Sequence, residues 1–298
     1  MAQELSYYLS NDQVQHFFRD GFIGPFDLIG PEEMEKLWPK MRHRLLDRST
    51  SPYPASLLNY DRHLDIKDLS GIVSNPKIVH KLQSLIGRDI LCWRSEWFPK
   101  YPGDEGTEWH QAKTFFEFEG KPRLVPTENE TGLWGLTVWI AFTESTRETG
   151  CMKLLPGTHN SWQFDESRMN RYDSSIINTR VENDHKVGFF GYNWNDLKID
   201  HDWSPNEADA VLMEMKPGQF FIFSSQCLHG SYPNTSQSRM RCGWSSRYVA
   251  THVKVYSDSE SYTSLGEELL LDKYSTVLVG GQDNYHHNKV IRIDGSTP

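Results

Sequence analysis

Cysteine is scarce in this sequence. There are four residues in 298, at positions 92, 151, 227 and 242, and no CxxC pair. That excludes a zinc site built on paired thiolates and removes any need for a disulfide framework, so the four read as reduced, mostly buried thiols. Cys227 stays open as a metal ligand, because alternation along a strand would turn it to the same face as His229. Long apolar runs are also missing, which excludes a bilayer-spanning helix. Met1-Ala2-Gln3-Glu4-Leu5 has neither the basic nor the apolar region of a secretory leader, and a soluble cytoplasmic protein with no membrane partner is expected. Positive charge is in deficit: 31 Lys and Arg stand against 40 Asp and Glu, a net charge of −9. Phosphate binding relies on clustered Lys and Arg, so no nucleic acid or other polyanion is expected as a partner. No internal repeat, low-complexity tract or composition break divides the chain. Residues 1–298 are therefore read as a single domain with ample length for a core.

Aromatics, by contrast, are plentiful. Ten Trp, 15 Phe and 13 Tyr suit a β-rich fold around a walled pocket better than a helical bundle. Residues 11–48 read as helical, with Asn11 as a possible cap, a second helix opening at Pro31-Glu32-Glu33, and Pro39 kinking that helix or ending it early. Ile78, Leu82 and Leu85 or Ile86 recur at helical spacing over 76–86, where Gly87 closes the helix. From residue 89 the pattern changes to strands at 89–98, 133–142, 150–155, 219–228 and 239–256. The polar stretch 165–205 reads as a long insert of the kind that forms lids. The expected fold class is α+β: a double-stranded β-helix, or cupin-like jelly roll, with flanking helices. Its helical N-terminal part covers about 1–88, its barrel core about 89–258 and a C-terminal extension about 259–298.

One further absence is local. Metal sites of the two-His, one-carboxylate type are commonly written His-x-Asp/Glu followed much later by a second His. Here Glu108-Trp109-His110-Gln111-Ala112 has the first His and, where the carboxylate belongs, Ala112. The second His is offered by His229, at the end of the apolar stretch 218–230, and Arg241 follows twelve residues later. His159, His185, His201, His252, His286 and His287 read as loop or surface residues.

With these residues in place, the chain resembles the Fe(II)- and 2-oxoglutarate-dependent halogenases related to phytanoyl-CoA dioxygenase, especially the syringomycin-type chlorinases of carrier-bound amino acids. Matching segments include Gly21-Phe22-Ile23-Gly24-Pro25-Phe26-Asp27, Asn59-Tyr60-Asp61-Arg62-His63-Leu64-Asp65, residues 98–107, Gly188-Phe189-Phe190-Gly191-Tyr192 and Ser246-Arg247-Tyr248-Val249. The likeness runs over roughly 15–280. It implies that His110 and His229 hold Fe(II), and that Arg241, helped by Trp139 and Thr107, binds 2-oxoglutarate, since a planar guanidinium suits a carboxylate better than Lys does. It further implies that Ala112 leaves room for chloride in a pocket lined or supported by Thr137, Phe190, Ser225 and Arg247. Glu96, Phe98 and Glu117 are candidates for the substrate pocket, and Glu117 departs from a short amide found near that position in the family.

The implied reaction is radical chlorination of an unactivated carbon, using O2, on an aliphatic amino acid held as a pantetheine thioester by an acyl or peptidyl carrier protein in nonribosomal biosynthesis. The same site could instead hydroxylate or desaturate, since Ala112 permits chloride without compelling its transfer. A non-catalytic relative that only binds 2-oxoglutarate or a carrier is a third reading, opposed by the retention of Arg241 and both histidines. The basic stretch Lys40-Met41-Arg42-His43-Arg44, with Arg48, is either a solvated helix face or a docking patch for an acidic carrier.

Overall fold

The computed structural model describes residues 7–115, 121–165, 180–182, 185–187, 197–265 and 267–293. Its α-helices are α1 (Asn11–Asp20), α2 (Pro31–Leu46), α3 (Lys67–Val73) and α4 (Pro76–Ile86). The strands begin with β1 (Phe22–Asp27), β2 (Ile90–Lys100), β3 (Thr107–His110), β4 (Leu124–Pro126), β5 (Gly135–Ala141) and β6 (Met152–Leu154). They continue through β7 (Arg180–Glu182), β8 (His185–Val187), β9 (Val211–Met213), β10 (Gln219–Phe223), β11 (His229–Ser231) and β12 (Arg241–Ala250). The last are β13 (Val253–Val255), β14 (Ser261–Ser264), β15 (Glu267–Leu270), β16 (Thr276–Gly280) and β17 (Val290–Ile291).

The N-terminal helices differ from the sequence expectation in three ways. Ser10, not Asn11, caps α1: its hydroxyl accepts from the Gln13 amide while the Gln13 side chain accepts from the Ser10 amide. Gly21, at φ 86°, then ends the helix. The chain leaves helical geometry for β1, whose Phe22 and Ile23 pair with Phe223 and Ile222 of β10. Finally, α2 runs seven residues past Pro39 to Leu46. Burial of Met34, Met41 and Leu45 along one face holds it together across the missing backbone donor. Arg48, beyond its end, is tied to the carbonyls of Ser56 and Leu57, which takes it out of the basic patch. Helix α4 matches its expected span, with Asn75 capping it and Gly87 at φ 90° closing it.

Two sheets position the site. The larger has the order β1-β10-β5-β12-β2-β16-β17, and the smaller β3-β11-β6-β9. The result is the α+β jelly roll. The main core cluster packs Ile78 and Leu82 of α4 and Met34 and Met41 of α2 against Val138, Ile140, Phe220, Ile222 and Trp244 of the larger sheet. The segment expected as one strand over 219–228 is two: β10 stops at Phe223, a turn closed by the Cys227 amide on the Ser224 carbonyl follows, and β11 begins in the other sheet at His229. The 239–256 stretch likewise divides into β12 and β13. Residues 259–298 supply β16, which pairs with β2 in the larger sheet, and the hairpin of β14 and β15. Most of the expected insert lies outside the described residues, as do Phe190 and Glu117. Among the described residues, no helix is long and apolar enough to cross a membrane.

Candidate active site

A cavity of about 180 Å³ lies between the two sheets, lined by both. His110 at the end of β3 and His229 at the start of β11 are direct partners in the antiparallel register, with ring centroids 4.1 Å apart. Each places its Nδ1 2.8 Å from the backbone carbonyl two residues earlier, Glu108 for His110 and Cys227 for His229. A carbonyl can only accept, so each Nδ1 carries the proton and each Nε2 the lone pair. Burial pushes the His110 pKa down to about 4 and drives His229, which also faces the His110 ring, well below its ordinary value. At neutral pH both imidazoles are uncharged with fixed tautomers, which is the form in which His binds a divalent metal.

Ala112 lines the same cavity, its amide donating to the Ser225 carbonyl at 2.8 Å. Among the described residues no third His, Cys, Asp or Glu joins the pair as a metal ligand. Gln111 is turned away and fully engaged: the two hydrogens of Nε2 are shared among the carbonyls of Thr158, Ser161 and Gln226, and Oε1 accepts from the Gln163 amide. Cys227 is not a candidate ligand either. Its thiol points to the Leu155 carbonyl at 3.3 Å, among Leu154, Phe221 and Met213, because the turn before β11 breaks the alternation that would have aligned it with His229. Thr137 Oγ1 and Ser225 Oγ, both on the cavity wall, are 2.7 Å apart. One hydroxyl donates to the other, so the acceptor keeps a hydrogen for a ligand.

Arg241 marks one end of the cavity. It is 2% exposed, its one hydrogen bond among the described residues runs from Nη1 to the Phe98 carbonyl at 3.3 Å, and its Nε has no partner there. Burial lowers its pKa to about 10. A buried guanidinium without a carboxylate is a costly arrangement that an anionic ligand would complete. Trp139 lies beneath it, ring centroid 5.3 Å from the guanidinium carbon. Gly243 makes room for that ring, since a Cβ there would sit 1.8 Å from Trp139 Cζ2. Gly243→Ala is therefore expected to displace Trp139, destabilise the fold by about 1–3 kcal/mol and loosen the anion site. Urea unfolding and the quenching of tryptophan fluorescence by the bound anion check this.

The other end lies six residues further along β12, about 20 Å at strand rise. There Glu96 accepts from Arg94 Nε and pairs with Arg247 Nη1 at 2.6 Å. Despite burial, which opposes ionisation, the two guanidiniums hold the Glu96 carboxyl at about 2. Arg94 also donates to the Tyr256 hydroxyl at 2.9 Å and sits over Tyr60. Phe98 and Phe115 line the cavity as well, with Arg247 over the Phe115 ring. Sequence reasoning missed Arg94, Tyr60, Phe115, Arg123, Ser264 and Leu265. Only Arg94 had a signal, because it shares a strand face with Glu96 and Phe98 at two-residue spacing.

Residues 17–242 match the family model for phytanoyl-CoA dioxygenase. The chain belongs to that family. Two solved structures of CytC3 are similar over nearly the whole length. One has 40% identity and a TM-score of 0.75. The other, CytC3 with Fe(II) and alpha-ketoglutarate, has 38% identity and a TM-score of 0.74. Each covers 97% of this chain and 96% of that one. Among curated proteins, the phytanoyl-CoA dioxygenase domain-containing protein 1 homolog of Dictyostelium discoideum is 27% identical over 233 residues, 76% of this chain. A probable alpha-ketoglutarate-dependent hypophosphite dioxygenase of Stutzerimonas stutzeri is 26% identical over 179 residues, 60% of this chain. This chain spans 64% and 52% of the length of those two relatives.

Proposed function

We propose that this protein is an Fe(II)- and 2-oxoglutarate-dependent halogenase that chlorinates an unactivated carbon of an aliphatic amino acid held as a thioester on a carrier protein. The observation that carries the reading is Ala112 on the wall of the cavity that His110 and His229 share, with no third protein ligand among the described residues. The paired, tautomer-fixed imidazoles fit a divalent metal, and the unpaired Arg241 fits the distal carboxylate of 2-oxoglutarate. The similarity to CytC3, solved with Fe(II) and alpha-ketoglutarate, supports the same pair of cofactors.

When bound, the metal with 2-oxoglutarate and O2 supplies the oxidising power that removes a hydrogen atom from carbon. The remaining work falls to the chain. His110 and His229 contribute two neutral ligands and no charge, so two metal charges are left for the cosubstrate and one further anion. Replacing a carboxylate by the Ala112 methyl opens space for chloride, which restores both ligand count and charge. Thr137 and Ser225 retain one hydroxyl hydrogen between them for an anion, and Arg247, braced by Glu96, adds positive charge at that wall. Arg241 would neutralise the distal carboxylate, with the Trp139 ring 5.3 Å from its guanidinium carbon. The carrier as partner rests on the sequence resemblance.

Hydroxylation from the same site is the second reading, favoured by the curated relatives whose names are those of dioxygenases. Transfer of chlorine instead of hydroxyl depends on which group lies nearer the target carbon. The test is incubation with Fe(II), 2-oxoglutarate, chloride and O2 of carrier protein loaded with a panel of aliphatic amino acids, followed by mass spectrometry of the released acyl group. A product with the chlorine isotope pattern supports halogenation. A hydroxylated product in saturating chloride replaces it by the second reading.

A further inference from the structure

The basic half of α2 has no work in the site described above. From Lys36 to Leu46 the chain carries four cations, Lys36, Lys40, Arg42 and Arg44, and no carboxylate, in a protein whose net charge is −9. All four are exposed. Among the described residues none of them is ion-paired, whereas the surface cations Arg19, Lys153 and Arg239 each meet a carboxylate. Cations in the last turn of a helix complement its dipole, which accounts for Arg44. It does not account for Lys40 and Lys36, one and two turns earlier. At four-residue spacing the three form a single stripe, and Arg42 beside them lies over the Trp38 ring.

The stripe ends beside exposed apolar surface. Leu46 and Leu57, 79% and 76% exposed, are the two most exposed large apolar residues among those described. Their segments are stitched together by two arginines: buried Arg62 donates to the Leu45 and Asp47 carbonyls and to Asn59 Oδ1, and Arg48 to the carbonyls of Ser56 and Leu57. Leucines held in water by a fixed backbone, next to unpaired cations, are the composition of a surface that a protein partner covers. The same loop reaches the cavity. The Leu57 amide donates to Glu267 Oε2 at 3.0 Å, and three residues on the Tyr60 hydroxyl accepts from Ser264 at 3.4 Å. Tyr60, Ser264 and the half-buried Leu265 all line the cavity.

We propose that the stripe Lys36, Lys40 and Arg44, with Leu46 and Leu57, is the docking surface for the carrier protein: it engages an acidic face of the carrier, whose pantetheine arm then enters the cavity past Tyr60 and Leu265. This rests on the reading of a carrier-bound substrate. Charge complementarity selects the partner's acidic face, and the acidic remainder of the chain argues for a compact partner. A small acidic domain covers the patch alone, whereas an extended polyanion or an anionic membrane would also meet the surrounding negative charge.

The test is anaerobic fluorescence anisotropy of a labelled, amino acid-loaded carrier, the one turned over in the assay above, titrated with the full chain holding Fe(II) and 2-oxoglutarate. Wild type is compared with Lys40→Glu/Arg44→Glu, with Leu57→Ser, and with Arg88→Glu/Lys216→Glu, an equal charge reversal outside the patch. All of these positions are exposed, so the variants are expected to fold. The patch reversal is expected to weaken the carrier about tenfold or more and Leu57→Ser about threefold, while the outside reversal changes nothing. Unchanged affinity in the patch reversal overturns the proposal. Equal weakening by the outside reversal also overturns it, since net charge alone would then be the cause. Binding of phosphatidylserine vesicles that is lost in the patch reversal, with carrier affinity intact, would assign the patch to a membrane instead. A wild type that turns over no loaded carrier refutes the carrier reading itself, before any variant is compared.

Discussion

Ala112→Asp is expected to reduce chlorination to background while leaving metal binding intact or stronger. The position lies on the cavity wall beside two imidazoles whose protons are fixed on Nδ1. A carboxylate there completes two His and one carboxylate, the arrangement that holds Fe(II) in non-haem oxygenases. It takes the place and the charge that chloride would otherwise supply, and an anion that enters a buried site must find compensation for its lost hydration. A second negative ligand removes that compensation. The effect is on the identity of the transferred group, so succinate formation can persist where chlorinated product vanishes. Product mass spectrometry beside an Fe(II) titration separates the two. Chlorinated product from the variant contradicts the assignment of position 112.

Arg241→Ala is expected to weaken 2-oxoglutarate by about 2–5 kcal/mol, some thirtyfold to several-thousandfold, the usual range for truncating one partner of a buried charge pair. In the ligand-free protein the same change removes a buried cation that lacks a carboxylate and faces Lys100, so stability without ligand should fall far less than binding does. Thermal denaturation distinguishes the two effects. Wild type should gain stability from saturating 2-oxoglutarate and the variant should not. A full thermal shift in the variant would place the distal carboxylate elsewhere.

Much of the site was legible because its parts are local in sequence. His110 ends β3, His229 and Arg241 open β11 and β12, and Ala112 stands out only against the His-x-carboxylate pattern. Helix α4 was legible for a similar reason, having a cap, a periodic face and a closing glycine within eleven residues. What failed were the changes of direction. The apolar run Phe220–Phe223 is broken by Ser224-Ser225-Gln226, a signal passed over when 219–228 was read as one strand, and there the chain leaves one sheet at Phe223 to enter the other at His229. That turn is also why Cys227 faces the Leu155 carbonyl and not the cavity. Strand β1 was hidden because Gly24 and Pro25 interrupt a six-residue strand whose aromatic partners lie two hundred residues away.

The far wall of the cavity was less legible still. Tyr60 comes from a loop before α3, and Ser264 and Leu265 from the β14–β15 hairpin, brought together by a bond from the Ser264 hydroxyl to the Tyr60 hydroxyl. Glu267 of the same hairpin accepts from the Leu57 amide and so ties the two segments. These residues carry no periodicity that marks them as partners. The bond from Lys100 to Ser231 is invisible for the same reason, because it joins a strand of each sheet and leaves no spacing within one.

The most direct test of the halide-ligated site is an anaerobic titration of the purified protein with Fe(II) and 2-oxoglutarate, following the metal-to-ligand charge-transfer absorption with and without chloride. A band that shifts or strengthens with chloride, and is absent in His110→Ala and His229→Ala, is the expected result. A band of the same position and strength whether or not chloride is present would contradict chloride as the ligand that stands where Ala112 has replaced a carboxylate.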